Sequence, residues 1–214
     1  MNADPVEIRV LGCLVEKQRT TPDVYPLTLN ALRLACNQST NRDPVVDYDE
    51  ATVRSALDRL GRRRWTRLTS GHGSRAPKFR HLLDEALGID RAQMALLAVL
   101  MLRGPQTPGE LKQRSERLQH FDDMAALQDT LDGLIGRELV ARLERRPGQK
   151  EERYAQLIGA ADEAPVEGPP PASTPAAAAA PASSDGLSER VEQLESEVAE
   201  LRAELLRLRE DLGA

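Results

Sequence analysis

Apolar positions recur at helical spacing in three segments near the start of the chain. These segments cover residues 5–19, 27–36 and 49–65, and their apolar positions are Ile8, Leu11 and Val15, then Leu29, Leu32 and Cys36, then Val53, Leu57 and Leu60. Asp49 is well placed to cap the third helix. Two short β-type segments follow, ending in Lys78–Arg80, and the glycine-marked turn Ser70–Ser74 joins them. Three helices and a hairpin predict a winged helix-turn-helix domain over residues 1–85.

The same order of elements recurs in residues 86–159. The pattern predicts a helix at about 90–103, a short helix from Thr107 to near Arg117, a helix opened by Asp122 or Asp123, and a hairpin formed by Leu139–Arg145 and Glu152–Ile158. Thr107 and Glu110 have the spacing of a capping box. Leu57–Leu60 parallels Leu131–Leu134, and Phe79 parallels Tyr154. We therefore expect a mainly α protein with small β-hairpins, built from two tandem winged helix-turn-helix domains and followed by a C-terminal coiled-coil helix.

The last 55 residues change character twice. Residues 160–186 are rich in Ala, Pro and Ser and have no apolar period, which predicts a linker. Residues 187–214 then follow a heptad repeat, which predicts a coiled coil. Its core positions, the expected dimerisation residues, are Leu187, Val191, Leu194, Val198, Leu201, Leu205, Leu208 and Leu212. The flanking charges favour a parallel homodimer, because the pairs that parallel packing would form are Arg190 with Glu195, Glu197 with Arg202 and Glu204 with Arg209.

Charge is distributed unevenly along the chain. The formal net charge is −5, but residues 1–85 carry +3, residues 86–160 carry 0 and residues 161–214 carry −8. Between Arg54 and Arg80 there are nine basic residues and one acid, Asp58. A phosphate backbone responds to charge within a Debye length of roughly 8–10 Å, so this local excess matters more than the total. It lies on the helix and hairpin that a winged helix presents to DNA.

We therefore expect double-stranded DNA to be a partner. Arginines on the outer face of the third helix would reach guanine edges, and those of the hairpin would contact phosphates or the minor groove. The candidate DNA-binding residues are Arg54, Ser55, Arg59, Arg62, Arg63, Arg64, Arg67, Arg75, Lys78 and Arg80. Basic residues of the second hairpin are mixed with acids, so the second domain could instead pack, dimerise or bind a protein.

The sequence offers no catalytic, metal or cofactor site. His72, His81 and His120 are scattered, and no His, Cys and carboxylate group has metal-ligand spacing. Cys13 and Cys36 lie in apolar runs and are expected to be reduced core thiols. Residues 1–5 do not resemble a signal peptide, and the longest apolar run, Met94–Leu102, is too short to span a bilayer. We therefore expect a cytoplasmic protein that is not an enzyme and is not in a membrane.

Five motifs together resemble the bacterial YceH-like family. They are Arg9–Lys17, Thr20–Pro22 with Tyr25–Leu27, Ala35–Gln38, Asn41–Pro44 and Leu102–Leu111. The resemblance covers roughly residues 5–158 and implies two winged-helix domains, with DNA binding inferred from the fold. The linker and the heptad segment are expected to lie outside the shared region.

Two functions remain open from the sequence alone. In the first, the chain is a dimeric DNA-binding protein, regulatory or nucleoid-associated, whose coiled coil brings two basic winged helices together. In the second, it is a tandem winged-helix module that binds proteins, with the acidic tail as a scaffold. The two differ in whether the cations between Arg54 and Arg80 meet a polyanion or only solvent.

Overall fold

The computed structural model describes residues 2–69, 76–145 and 151–159. Predictions for Arg75, the Ser70–Ser74 turn, the linker and the heptad segment lie outside these residues. The described part is mainly helical, with small antiparallel sheets. Its helices are α1 (Pro5–Thr20), α2 (Leu29–Cys36), α3 (Glu50–Arg62), α4 (Leu83–Leu87), α5 (Arg91–Arg103), α6 (Pro108–Ser115) and α7 (Met124–Gly136). Its strands are β1 (Leu27–Thr28), β2 (Thr66–Thr69), β3 (Lys78–His81), β4 (Val140–Leu143) and β5 (Arg153–Gln156).

Side-chain caps fix where most of the longer helices begin. The carboxylate of Asp49 accepts a hydrogen bond from the Thr52 N–H at 2.7 Å, which confirms it as the N-cap of α3. Thr107 and Glu110 form the predicted capping box of α6. Asp123, rather than Asp122, caps α7. These caps satisfy amide groups that the first turn of a helix leaves without partners.

The chain around Leu27 differs from the prediction. Leu27 and Thr28 form β1 instead of the start of the second helix, and Leu27 pairs with Phe79 on β3. The first sheet therefore has three strands in the order β1–β3–β2. Thr28 ends the strand and caps α2, since its hydroxyl accepts from the Ala31 N–H at 3.3 Å. A two-residue strand exists only through this tertiary pairing and leaves no periodic signal in the sequence.

The two halves of the described chain share backbone details. Leu27, next to the cap of α2, pairs with Phe79, and Gln106, next to the cap of α6, pairs with Tyr154. Phe79 and Tyr154 thus occupy equivalent places. After the third helix of each half, one residue has a positive φ, and the backbone N–H of the next residue donates to the carbonyl of the last buried leucine in that helix. In the first half these are Arg64 (φ 60°) and the Trp65 N–H, which donates to Leu60. In the second half they are Glu138 (φ 57°) and the Leu139 N–H, which donates to Leu134.

Helix α5 is the centre of the core. Its residues Met94–Leu102 are all buried, and it contacts α1, α6 and α7. Gly12 of α1 lies so close to α5 that an added Cβ would stand 2.9 Å from the side chain of Leu102. The described residues thus belong to one compact unit. The division into domains at residue 85 stays a prediction.

Two buried arginines hold the loop between α2 and α3. Arg42 binds Glu16 at 2.6 Å and the Ala35 carbonyl at 3.0 Å. Arg9 donates to the carbonyls of Cys36 and Pro44. Cys13 and Cys36 are buried free thiols, as predicted. These buried arginines therefore anchor a loop most of whose other residues are exposed.

Candidate nucleic-acid interface

Helix α3 presents one apolar face to the core and the opposite face to solvent. Val53, Leu57 and Leu60 are buried, as their spacing predicted. Hydrogen bonds from Thr52 lower the pKa of Asp49 below its ordinary value, so the N-cap remains a carboxylate at neutral pH. The ability of the outward face to bind a ligand depends on which of its arginines lack a partner within the chain.

Arg59 turns from this face towards the N-terminus of α1. Its guanidinium binds the carboxylate of Asp4 and, at 3.2 Å, the buried carboxylate of Glu7. It also donates to the Ser55 hydroxyl at 2.8 Å. At 100° per residue, Arg59 lies about 140° around the helix from Arg54. The donors of Arg59 are therefore engaged by partners within the chain, although Ser55 itself is exposed.

Two further candidates also have partners within the chain. Arg63 donates to the Asn2 carbonyl at 2.8 Å, and its guanidinium lies 5.5 Å from the ring centroid of Trp65. Arg80 forms an ion pair with Glu85 at 3.0 Å. The contacts of Arg63 engage its donors and its ring-facing side within the chain, and the exposed Glu85 offsets part of the charge of Arg80.

The other five described cations of the region are open. In residues 2–69 and 76–145, no carboxylate lies within ion-pair distance of any of them. We call them the open cations: Arg54, Arg62, Arg64, Arg67 and Lys78. All except Lys78, which is half-buried, are exposed.

Strand register divides the hairpin cations from the apolar residues. Arg67 on β2 stands opposite Arg80 on β3, and Leu68 stands opposite Phe79. Because side chains alternate across a strand, Arg67, Arg80 and Lys78 share one face of the hairpin, and Leu68 and Phe79 share the other. The three described cations of the hairpin thus lie on one face, opposite the apolar pair.

A groove of about 800 Å³ lies between the Leu68 and Phe79 face of the hairpin and helices α2 and α3. Arg54 lines it, as do Glu50 and Asp58. Leu68 is 54% exposed, so the groove presents apolar surface to solvent. Its walls are mixed in charge, and Arg54 is the cation that α3 contributes to them.

Two of the three arginines that the structure describes in the second hairpin are ion-paired. Arg142 lies 3.5 Å from Glu152 and 3.9 Å from Asp132, and Arg153 lies 3.3 Å from Glu110. This agrees with the mixture of acids and bases in its sequence. Among the described residues, α3 and the first hairpin therefore carry more cations without an ion pair than α7 and the second hairpin do.

No pattern in the sequence indicates the partners of Arg59. Asp4 and Glu7 precede it by more than 50 residues, and both already have a local role in the capping box of α1. Across residues 2–69, 76–145 and 151–159, no group of three or more His, Cys, Asp or Glu side chains is arranged to hold a metal ion. In the same ranges, no helix combines the length and the apolar character needed to cross a membrane.

Comparison with known proteins identifies the family. A family model described as a protein of unknown function, DUF480, matches residues 3–149. The chain is 48% identical over 205 residues to a UPF0502 protein of Geotalea uraniireducens, covering 95% of this chain and 91% of the relative. It is 43% identical over 212 residues to a UPF0502 protein of Serratia proteamaculans, covering 95% and 94%. None of these descriptions names an enzymatic activity.

These alignments correct the expected extent of the resemblance. A match over 95% of 214 residues leaves about 11 residues outside, so it includes most of the region from 160 to 214. The prediction that the linker and the heptad segment lie outside the shared region is therefore wrong for these relatives. The chain belongs to the DUF480, or UPF0502, family of bacterial proteins, in agreement with its resemblance to the YceH-like proteins.

Proposed function

We propose that the chain is a DNA-binding protein built from two tandem winged helix-turn-helix domains. The element order of the first half, α1–β1–α2–α3–β2–β3 with a sheet ordered β1–β3–β2, supports this assignment. The second half repeats the order with α5–α6–α7–β4–β5, and Gln106 stands where β1 would be. In this fold the third helix enters the major groove and the hairpin contacts the backbone.

The open cations carry the proposal. Arg54 and Arg62 lie on the solvent side of α3, from which an arginine can bind the O6 and N7 acceptors of guanine. Arg64, Arg67 and Lys78 follow at the end of α3 and on the hairpin, where they would contact phosphates. Five charges without an internal partner among the described residues are available to release counterions from DNA.

Arg59 has a positioning role in this proposal. Its bonds to Asp4 and Glu7 join α3 to the start of α1, and the Ala3 N–H is in turn bonded to the Ile158 carbonyl at 3.1 Å. The network thus fixes the orientation of α3 while leaving Arg54 and Arg62 outward. A change at Arg59 would disturb the fold, so it does not test DNA contact.

The test is a salt titration of DNA binding. Fluorescence anisotropy with a mixed-sequence duplex measures affinity between about 50 and 300 mM salt. Three phosphate contacts, from Arg64, Arg67 and Lys78, predict a slope of log K against log salt of about −2.7. The double variant Arg62→Gln, Arg67→Gln removes one of these contacts and one base contact, so it is expected to reduce the slope to about −1.8 and to lower affinity.

The matched control is Arg91→Gln with Arg145→Gln. Both residues are exposed and lie outside the proposed interface, and the double change removes the same charge. Its slope is expected to equal that of the wild type. No binding at about 50 mM salt would overturn the proposal, and so would equal loss of affinity in the two double variants.

The same proposal includes dimerisation through the heptad segment. Opposite charges at the flanking positions favour two parallel strands. Leu194→Glu places a charge in the expected core and should halve the mass measured by light scattering. Ser196→Glu adds the same charge on the outer face of the heptad and should leave the mass unchanged. A wild-type mass of one chain would contradict this part of the proposal.

The apolar groove supports a second candidate function, the binding of a protein. Exposed apolar surface beside Glu50 and Asp58 suits a peptide with apolar and basic residues better than a phosphate backbone. A photo-crosslinker at position 68 would then capture a discrete protein in cells. The control position is Leu157, which is also exposed but is not part of the groove. Equal crosslinking from both positions would exclude this candidate.

A further inference from the structure

A second pocket lies on another part of the molecule, where the C-terminal ends of α1, α5 and α6 meet. Its volume is about 320 Å³, close to the lower limit of roughly 300 Å³ for small-molecule sites. Arg103 of α5, Arg114 of α6 and Arg117 just beyond α6 line it. None of the candidate DNA-binding residues does.

The charges in this pocket are unbalanced. Arg114 has an ion pair with Glu110 at 3.2 Å, but among the described residues no carboxylate is within ion-pair distance of Arg103 or Arg117. The one acid that lines the pocket, Glu16, is bound by the buried Arg42 at 2.6 Å. Partial burial and the nearby Arg114 lower the pKa of Arg103, although the charges of Asp43 and Glu110 oppose this shift. Among the described residues that line the pocket there are thus three arginines and one carboxylate, which is already paired.

The other lining residues indicate the chemical character of a ligand. Asn41, Gln113 and Thr20 add neutral hydrogen-bonding groups to the rim. Val99 and Leu102 supply apolar wall on the side of α5. Guanidinium groups bind carboxylate and phosphate oxygens in pairs, and the apolar wall suits a short carbon skeleton.

We infer that this pocket binds a small organic anion through a phosphoryl or carboxylate group held by Arg103 and Arg117. The inference is independent of DNA binding, because the pocket and the open cations have no residue in common. It concerns a ligand of the protein, not a reaction.

Pyrophosphate and citrate are the two probes, titrated by calorimetry into the full-length protein at constant ionic strength. At least one is expected to bind saturably, with one site per chain. Tighter binding of pyrophosphate would identify a phosphoryl ligand, and tighter binding of citrate would identify a carboxylate ligand. Arg103→Gln and Arg117→Gln are each expected to weaken that binding about tenfold or more.

Arg91→Gln is the control, since it removes an exposed arginine from the first turn of α5, far along the helix from Arg103. Arg117 is exposed, so its variant is expected to fold even if Arg103→Gln does not. Absence of saturable binding of both probes would overturn the inference, and so would equal weakening by the control. A loss of duplex-DNA affinity in Arg117→Gln as large as its loss of probe affinity would assign the pocket to a nucleic-acid surface and also overturn it.

Discussion

Burial of His81 makes the stability of the protein depend on pH. His81 is 3% exposed on β3. Its Nδ1 accepts a hydrogen bond from the Leu83 N–H at 3.3 Å, and its Nε2 lies 2.6 Å from the Gln18 side-chain oxygen. A ring that accepts at Nδ1 and donates at Nε2 is neutral. Burial lowers the pKa of His81 to about 4 from an ordinary 6.5, and the nearby Arg19 and Arg80 add to this although Asp84 opposes it.

The direction of this pH dependence follows from which state, folded or unfolded, binds the proton more tightly. Well above pH 6.5 the His81 ring is neutral in both the folded and the unfolded chain, so it does not lower the free energy of unfolding there. Between pH 6.5 and pH 4 His81 is protonated in the unfolded chain but not in the folded chain, so the free energy of unfolding falls as the pH falls. With these two pKa values, the free energy of unfolding drops by about 2 kcal/mol from pH 7.5 to pH 5.

Urea denaturation followed by circular dichroism at pH 7.5 and pH 5 measures this drop. The carboxylates contribute equally to the wild type and to His81→Gln, which cannot titrate, so the drop in the wild type should exceed that in the variant by about 2 kcal/mol. An NMR titration provides a second readout, in which the His81 ring stays neutral at pH 5.5. Equal pH dependence in the two proteins, or a charged ring at pH 5.5, would refute the reasoning.

Three further predictions concern stability, each measured by urea denaturation. Gly12→Ala should lower the free energy of unfolding by about 1–2 kcal/mol, because the added methyl group would clash with the side chain of Leu102. Gly61→Ala should raise it by about 0.5–1 kcal/mol, because the methyl group there would meet open space. Equal effects of the two changes would contradict the close contact of α1 and α5. Glu7→Gln should cost about 1–3 kcal/mol, because it removes a buried negative charge beside Arg59 and Arg63 and replaces one of the two acceptor oxygens with an NH2 donor. An effect below about 0.5 kcal/mol would exclude that network. Glu138→Gly should gain about 0.5–1 kcal/mol by relieving a left-handed backbone, and a loss of stability would count against it.

The parts of the fold that sequence alone predicts are those with local signals. The helix carrying Val53, Leu57 and Leu60 has both its apolar period and its cap within 13 residues. The internal repeat was also visible, because Phe79 and Tyr154 hold equivalent places opposite the strand or bridge before the second helix of each half. Where the apolar period and the N-cap of a helix agree over a few turns, tertiary packing favours the same structure as the local sequence.

Elements that depend on distant partners were not predictable in the same way. The strand β1 exists because Leu27 finds Phe79, 52 residues later. Helix α4 is five residues long, has no side-chain cap at its start and ends at Leu87, just before Gly88, whose φ is 62°. In both cases the local sequence is compatible with several conformations, and the packing of other elements selects one.

The candidate interface shows why counting charges is insufficient. Nine basic residues within 27 suggest one cationic surface, but the backbone periods place them differently. The helix turns Arg59 towards Glu7, while the pleat of the hairpin separates Arg67 from Leu68. An ionic side chain with a buried partner cannot also neutralise a phosphate without breaking that contact. The open cations, rather than all the basic residues, therefore set the number of phosphates that the first half could bind, and the salt slope measures that number directly.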